Sequence, residues 1–148
     1  ELLLYEASRA QHVDQVIRPT LAKGVWVLCD RFSASSVAFQ GGGRDISEND
    51  VVRLNDFATG GLKADLTVLL DLSVEESRKR RQGRGVQNGE SEDRIESEAD
   101  SFHEKVRQSF LKQARTDAAG WLVLNAQETP EVLFQQLLQA LAEKNILK

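Results

Sequence analysis

The apolar positions follow two periods. Across ELLLYEASRAQHV, Leu3, Leu4, Ala7, Ala10 and Val13 recur at close to 3.6 residues, which predicts that the chain opens in a helix. Pro19 then kinks or restarts it, because proline cannot donate the interior hydrogen bond. Three short runs rich in Val and Leu, 25–29, 66–72 and 121–124, are apolar almost without interruption, as strands buried on both faces are. Helical segments separate them. Ser47 with Asp50 predicts a capped helix that runs to Thr59 and stops at Gly60 and Gly61. Ser73 with Glu76 gives a second capping box, a long helix is expected over 95–118, and Thr129 followed by Pro130 starts the last one. Strands alternating with helices predict an α/β fold around a parallel sheet, with helices on both faces.

The stretch RKRRQGRGVQNGESED at 78–93 breaks this order, and its three glycines within dense charge predict a mobile loop. The formal charge of -4 argues against a general nucleic-acid binder, which needs a large basic surface to displace counterions. A single cysteine, Cys29, excludes an internal disulfide and fits a reducing compartment, most simply the cytoplasm. No apolar run approaches 18 residues, so no membrane partner is expected.

In parallel sheets ligands bind beyond the carboxyl ends of the strands, where Asp30, Arg31 and Asp71 fall. The Asp30–Arg31 pair reads either as a structural ion pair closing a strand or as a fixed cation for an anionic ligand. Arg78, Lys79, Arg80, Arg81 and Arg84 read either as a solvated helix end or as a lid over polyphosphate, since guanidinium forks match phosphate oxygens. Asp93 and Glu96 suit a helix N-terminus or the water shell of magnesium. Tyr5 and Arg9, four apart, share a helix face, either as a packed surface pair or as a ring and donor for a planar ligand. His12 and His103 lack metal-ligand spacing and read as surface residues.

Taken in order, LLLYEASRAQHV, IRPTLAKGVWVLCDRF, AFQGGGRDI, ATGGLKADLTVLLDL and EDRIESE resemble the bacterial thymidylate kinase family over nearly the whole chain. The resemblance implies a P-loop NTPase fold of the nucleoside monophosphate kinase type, with a three-layer parallel sheet, and transfer of a phosphoryl group from ATP to dTMP with Mg2+. It implies that Tyr5 stacks on thymine, Arg9 reaches the base O4, Ser36 faces its N3 edge and Phe39 packs under the deoxyribose, with Gln40 adjacent. Arg31, beside Asp30, would grip the dTMP phosphate. Arg81 and Arg84, supported by Arg78, would act from a lid at 78–94, Glu96 would approach the metal through water, and Asn125 and Gln127 would lie beside the adenine. A homodimer is implied as well.

Two features depart from the family pattern. The lid is longer than the compact form, and the phosphate loop G-x-x-x-x-G-K-[ST] does not occur in these 148 residues. The expectation is therefore a carboxyl-terminal portion of a longer enzyme, lacking on the order of 50 residues, more than a strand, loop and helix unit requires. Such a portion is expected to be inactive alone. Rival readings are another kinase of this fold, acting on a deoxynucleoside or a different nucleoside monophosphate, and a non-catalytic nucleotide-binding module.

Overall fold

The opening helix buries the side opposite to most of its leucines. The computed structural model describes residues 1–44, 46–88 and 98–146, with 84–88 as backbone only. Helix α1, Leu2–His12, buries Leu2 and Glu6 while Leu3 and Leu4 stay exposed. A π-helical turn, Val13–Ile17, follows and leads into the short α2, Arg18–Leu21, with Pro19 in its first turn. Pro19 does interrupt the regular ladder. The Thr20 hydroxyl donates back to the Val16 carbonyl one turn earlier, at 2.6 Å.

Residues 25–29 do not form a strand. A strand exists only through a ladder to a neighbour, and among the described residues none pairs with this segment. Val25, Trp26 and Leu28 are consequently exposed, Leu28 completely. Asp30 and Arg31 therefore close an irregular segment rather than a strand. After it come the one-turn helix α3, Ser33–Ser36, and a second π-helical turn, Val37–Gly42.

Helix α4, Glu48–Thr59, starts at Ser47 and ends at Gly60, which takes the left-handed conformation (φ 57°) that L-residues avoid. The expected capping bond at Ser47 is not made by its side chain. Strands β1, Thr67–Asp71, and β2, Trp121–Asn125, pair in parallel, with Thr67 opposite Trp121 and Asp71 opposite Asn125. They form the two-stranded sheet of the described residues. The predicted burial on both faces is not reached, since Val68, Leu70 and Val123 are exposed where helices leave the small sheet uncovered.

Helix α5, Val74–Asn88, replaces the loop expected over its second half. Each interior glycine costs about 1 kcal/mol relative to alanine, but the start is well anchored. The Ser73 hydroxyl accepts from the Glu76 amide at 3.3 Å, and Lys79 pairs with both Glu75 and Glu76 at 2.9 Å. Residues 89–94 of the predicted lid lie outside the described residues. Helix α6, Asp100–Thr116, is shorter at both ends than the 95–118 expected, its predicted start likewise lying outside. Helix α7, Pro130–Glu143, begins as predicted, with the Thr129 hydroxyl accepting from the Val132 amide at 3.4 Å.

The core lies between α1, α4 and the second π-helical turn, where Leu2, Val37 and fully buried Val51 meet, with Leu54 against them. Helix α6 packs on that same π-helical turn. Gly42 permits the approach: a Cβ there would sit 2.7 Å from that of Ser109. This packing fixes the segment that carries Phe39 and Gln40.

Candidate functional site

A cavity of about 240 Å3 opens between α1 and the 29–40 segment. Its walls include Tyr5, Arg9, Arg31, Ser36, Phe39 and Gln40, six residues singled out in the sequence, now drawn together from two separate stretches. Asp30 is exposed and is not among the lining residues. Ser8, His12 and Ser35 line it in addition. His12 remains exposed, as expected, yet it faces the cavity one turn beyond Ser8 and Arg9.

Helix α1 supplies the floor. Arg9 Nη1 donates to Glu6 Oε1 at 2.5 Å, to Asn55 Oδ1 at 2.6 Å and to Ser36 Oγ at 3.0 Å, and Nη2 donates to the Phe32 carbonyl at 3.3 Å. Ser36 in turn donates to Glu6 Oε1 at 2.9 Å, and Asn55 Nδ2 donates to the Ser33 carbonyl at 3.3 Å. Burial of this charge is sustained by pairing: the side chains of Arg9 and Glu6 are 11% and 6% exposed. Glu6 and Asn55 were missed in the sequence. The three-residue spacing of Glu6 and Arg9 was a usable signal, whereas nothing local points from Asn55 to a helix 46 positions away.

The far wall is aromatic. Phe39 sits edge-on to Phe110 (centroids 6.1 Å apart) and tilted against Phe102 at 6.2 Å, so its ring is held on two sides. The Arg31 guanidinium lies 5.1 Å from the Phe39 centroid. Arg31 itself has φ 69°, the left-handed region, which costs a non-glycine residue of order 1 kcal/mol or more and marks a residue held in place by its surroundings. Next to it, burial pushes the Cys29 thiol up from its ordinary value, the Arg9 charge offsetting part of this and Asp30 adding to it. The thiol accordingly donates, to the Arg31 carbonyl at 3.3 Å. Gln40 is buried, with Nε2 donating to Glu1 Oε1 at 3.1 Å.

A second group of the expected residues gathers at the carboxyl end of the sheet, apart from the cavity lining. Arg78 pairs with Asp100 at 2.6 Å, and Arg81 Nη1 donates to the Ser77 hydroxyl at 3.2 Å. Between them, Arg80 Nη2 donates to the Ala126 carbonyl at 2.8 Å, which fastens α5 to the loop after β2. There Asn125 Oδ1 accepts from the Gln127 amide at 3.1 Å, closing a tight turn. The Arg84 side chain and Glu96 lie outside the described residues. His103, read as a surface residue, is half-buried, with its ring edge-on to Phe102 at 5.6 Å.

The family model described as Thymidylate kinase matches residues 1–137. The chain is 80% identical over 147 residues to the thymidylate kinase of Bdellovibrio bacteriovorus, covering 99% of this chain and 69% of that protein. It is 46% identical over 142 residues to the enzyme of the same name from Thermosynechococcus vestitus, covering 57% of it, and 47% identical over 127 residues to that of Geotalea daltonii, covering 59%. The chain thus spans between about half and two thirds of the length of these relatives, and it belongs to the thymidylate kinase family. Among the described residues no helix is long and apolar enough to cross a membrane.

Proposed function

We propose that these residues form the acceptor side of a kinase that transfers the γ-phosphoryl group of ATP to dTMP, giving dTDP and ADP. The pairing at the cavity floor carries this reading. Arg9 offers donors and Ser36 offers an acceptor side by side, 3.0 Å apart, the complement of a pyrimidine with a 4-oxo group beside an N3–H. Tyr5 stacks on that base, Phe39 packs under a sugar without a 2'-hydroxyl, and Gln40 closes the wall beneath it. Arg31, with Asp30 beside it, meets the acceptor phosphate from the rim.

The donor side follows from the arginines of α5. Arg81 and Arg84, with Arg78, neutralise charge on the transferring phosphoryl group, and the Asn125–Gln127 turn lies beside adenine. Among the described residues no three His, Cys, Asp or Glu side chains converge on a metal position, and Glu96 lies outside them. Magnesium is proposed as a companion of the ATP phosphates, neutralising their charge, with Glu96 approaching it through water. Uncovered Val25 and Leu28, together with the partial coverage of the relatives, support reading this as part of a larger three-layer P-loop domain. The whole protein is proposed to be homodimeric, as the family resemblance implies, and cytoplasmic, as the single cysteine suggests.

Calorimetric binding to the full-length protein tests the acceptor assignment. Binding of dTMP is expected to exceed that of thymidine, and Arg31→Ala should remove that difference. Equal affinity of the unmodified protein for dTMP and thymidine would contradict it.

A further inference from the structure

Glu6 does not line the cavity, yet it is the point on which the cavity floor turns. Its carboxyl group is buried, with Oε1 taking hydrogen bonds from both Arg9 and Ser36 and Oε2 unpartnered among the described residues. All of its hydrogen bonding is thus directed at the two residues that meet the base edge.

We propose that Glu6 is a positioning residue that fixes the donor and acceptor sense of the cavity floor, and through it the choice between 4-oxo and 4-amino pyrimidine nucleotides. An ionised carboxylate can only accept. The Ser36 hydrogen is therefore committed to Glu6, 2.9 Å away, and one Ser36 lone pair is taken by Arg9. What remains for a ligand on Ser36 is a lone pair. Arg9, pinned through Nη1 by three acceptors and through one Nη2 hydrogen by the Phe32 carbonyl, offers its remaining Nη2 and Nε hydrogens in a fixed direction. A base with a 4-oxo group and an N3–H meets a donor and an acceptor in the right order. A base with a 4-amino group and a bare N3 meets the same pair in the wrong order and leaves polar groups unsatisfied, which is the strong form of discrimination.

Glutamine at this position keeps the shape but removes the constraint. Its amide can donate to Ser36, and the serine hydrogen is then free to turn into the cavity. The inference rests on the dTMP reading above, so the test separates the two. Values of kcat/KM for dTMP and dCMP are measured for the full-length protein, for Glu6→Gln and for Ser36→Ala. The unmodified protein is expected to prefer dTMP, and absence of that preference would count against the functional reading itself. Given that preference, Glu6→Gln is expected to lower the dTMP to dCMP ratio by about tenfold or more. An unchanged ratio, or an equal loss for both nucleotides as from a general structural defect, would overturn the role of Glu6. Should Glu6→Gln fail to fold, Ser36→Ala carries the test: a comparable fall in the ratio supports the proposal, and full retention of selectivity overturns it.

Discussion

Arg107 holds Asp71 by two parallel hydrogen bonds, Nε to Oδ1 at 2.7 Å and Nη2 to Oδ2 at 2.9 Å, tying helix α6 to the carboxyl end of β1. The hydrogen bond from Arg107 is the main reason that the Asp71 carboxyl titrates below its ordinary value, with desolvation opposing it. A carboxyl depressed in the folded state stabilises fully above its unfolded value, about 3.9, and loses that contribution as pH falls through the folded value. Asp71→Asn should therefore cost about 1 kcal/mol at pH 7, allowing for partial exposure of the pair. Urea unfolding of both proteins should show the gap closing in acid below the unfolded value. A gap independent of pH would contradict the ion-pair account.

Strain at Arg31 predicts a separation of stability from binding. Its left-handed backbone suits glycine, so Arg31→Gly is expected to raise stability by about 0.5–1 kcal/mol. The same change removes the rim cation and should weaken dTMP binding about tenfold or more, as loss of a charged hydrogen bond does. Thermal unfolding and calorimetry on one preparation check both halves.

Gly43 is expected not to tolerate a side chain. A Cβ on Gly43 would lie 2.5 Å from the Phe102 ring and 2.7 Å from the Phe39 carbonyl oxygen, closer than real Cβ contacts come. Gly43→Ala must displace backbone or ring and should destabilise by about 1–3 kcal/mol, with weaker dTMP binding because Phe39 moves. Gly61→Ala, where no atom lies within 4 Å, provides a control in which only the backbone penalty at φ 73° applies.

For the α5 arginines, the account predicts that Arg84→Ala lowers kcat more than it raises the KM for dTMP. Steady-state kinetics on the full-length protein read this split directly, and an equal effect on both parameters would contradict action in the transition state.

What was legible in the sequence was local. Thr129 with Pro130, Gly60 after Thr59 and the Val-Leu runs of β1 and β2 each act over a few residues, and each formed the predicted element. Residues 25–29 carry the same apolar signature but no ladder, because a strand is a property of two segments and one was judged alone. The second half of α5 misled in the opposite direction: Gly83 and Gly85 read as breakers, although a capped and ion-paired first turn carried the helix past them. In the cavity, Tyr5, Arg9, Ser36 and Phe39 stood out by type and order. Asn55 did not, since its part depends on a bond to a residue 46 positions away, and for Glu6 the spacing to Arg9 was legible while its bond to Ser36, 30 positions away, was not.

The central claim is most directly tested by turnover of the full-length protein with ATP and magnesium against dTMP, dUMP, dCMP and thymidine in parallel. The account predicts that dTMP has the highest kcat/KM, that dUMP follows because it keeps the 4-oxo and N3–H edge, and that dCMP and thymidine lie well below. Preferential phosphorylation of thymidine or dCMP would contradict it.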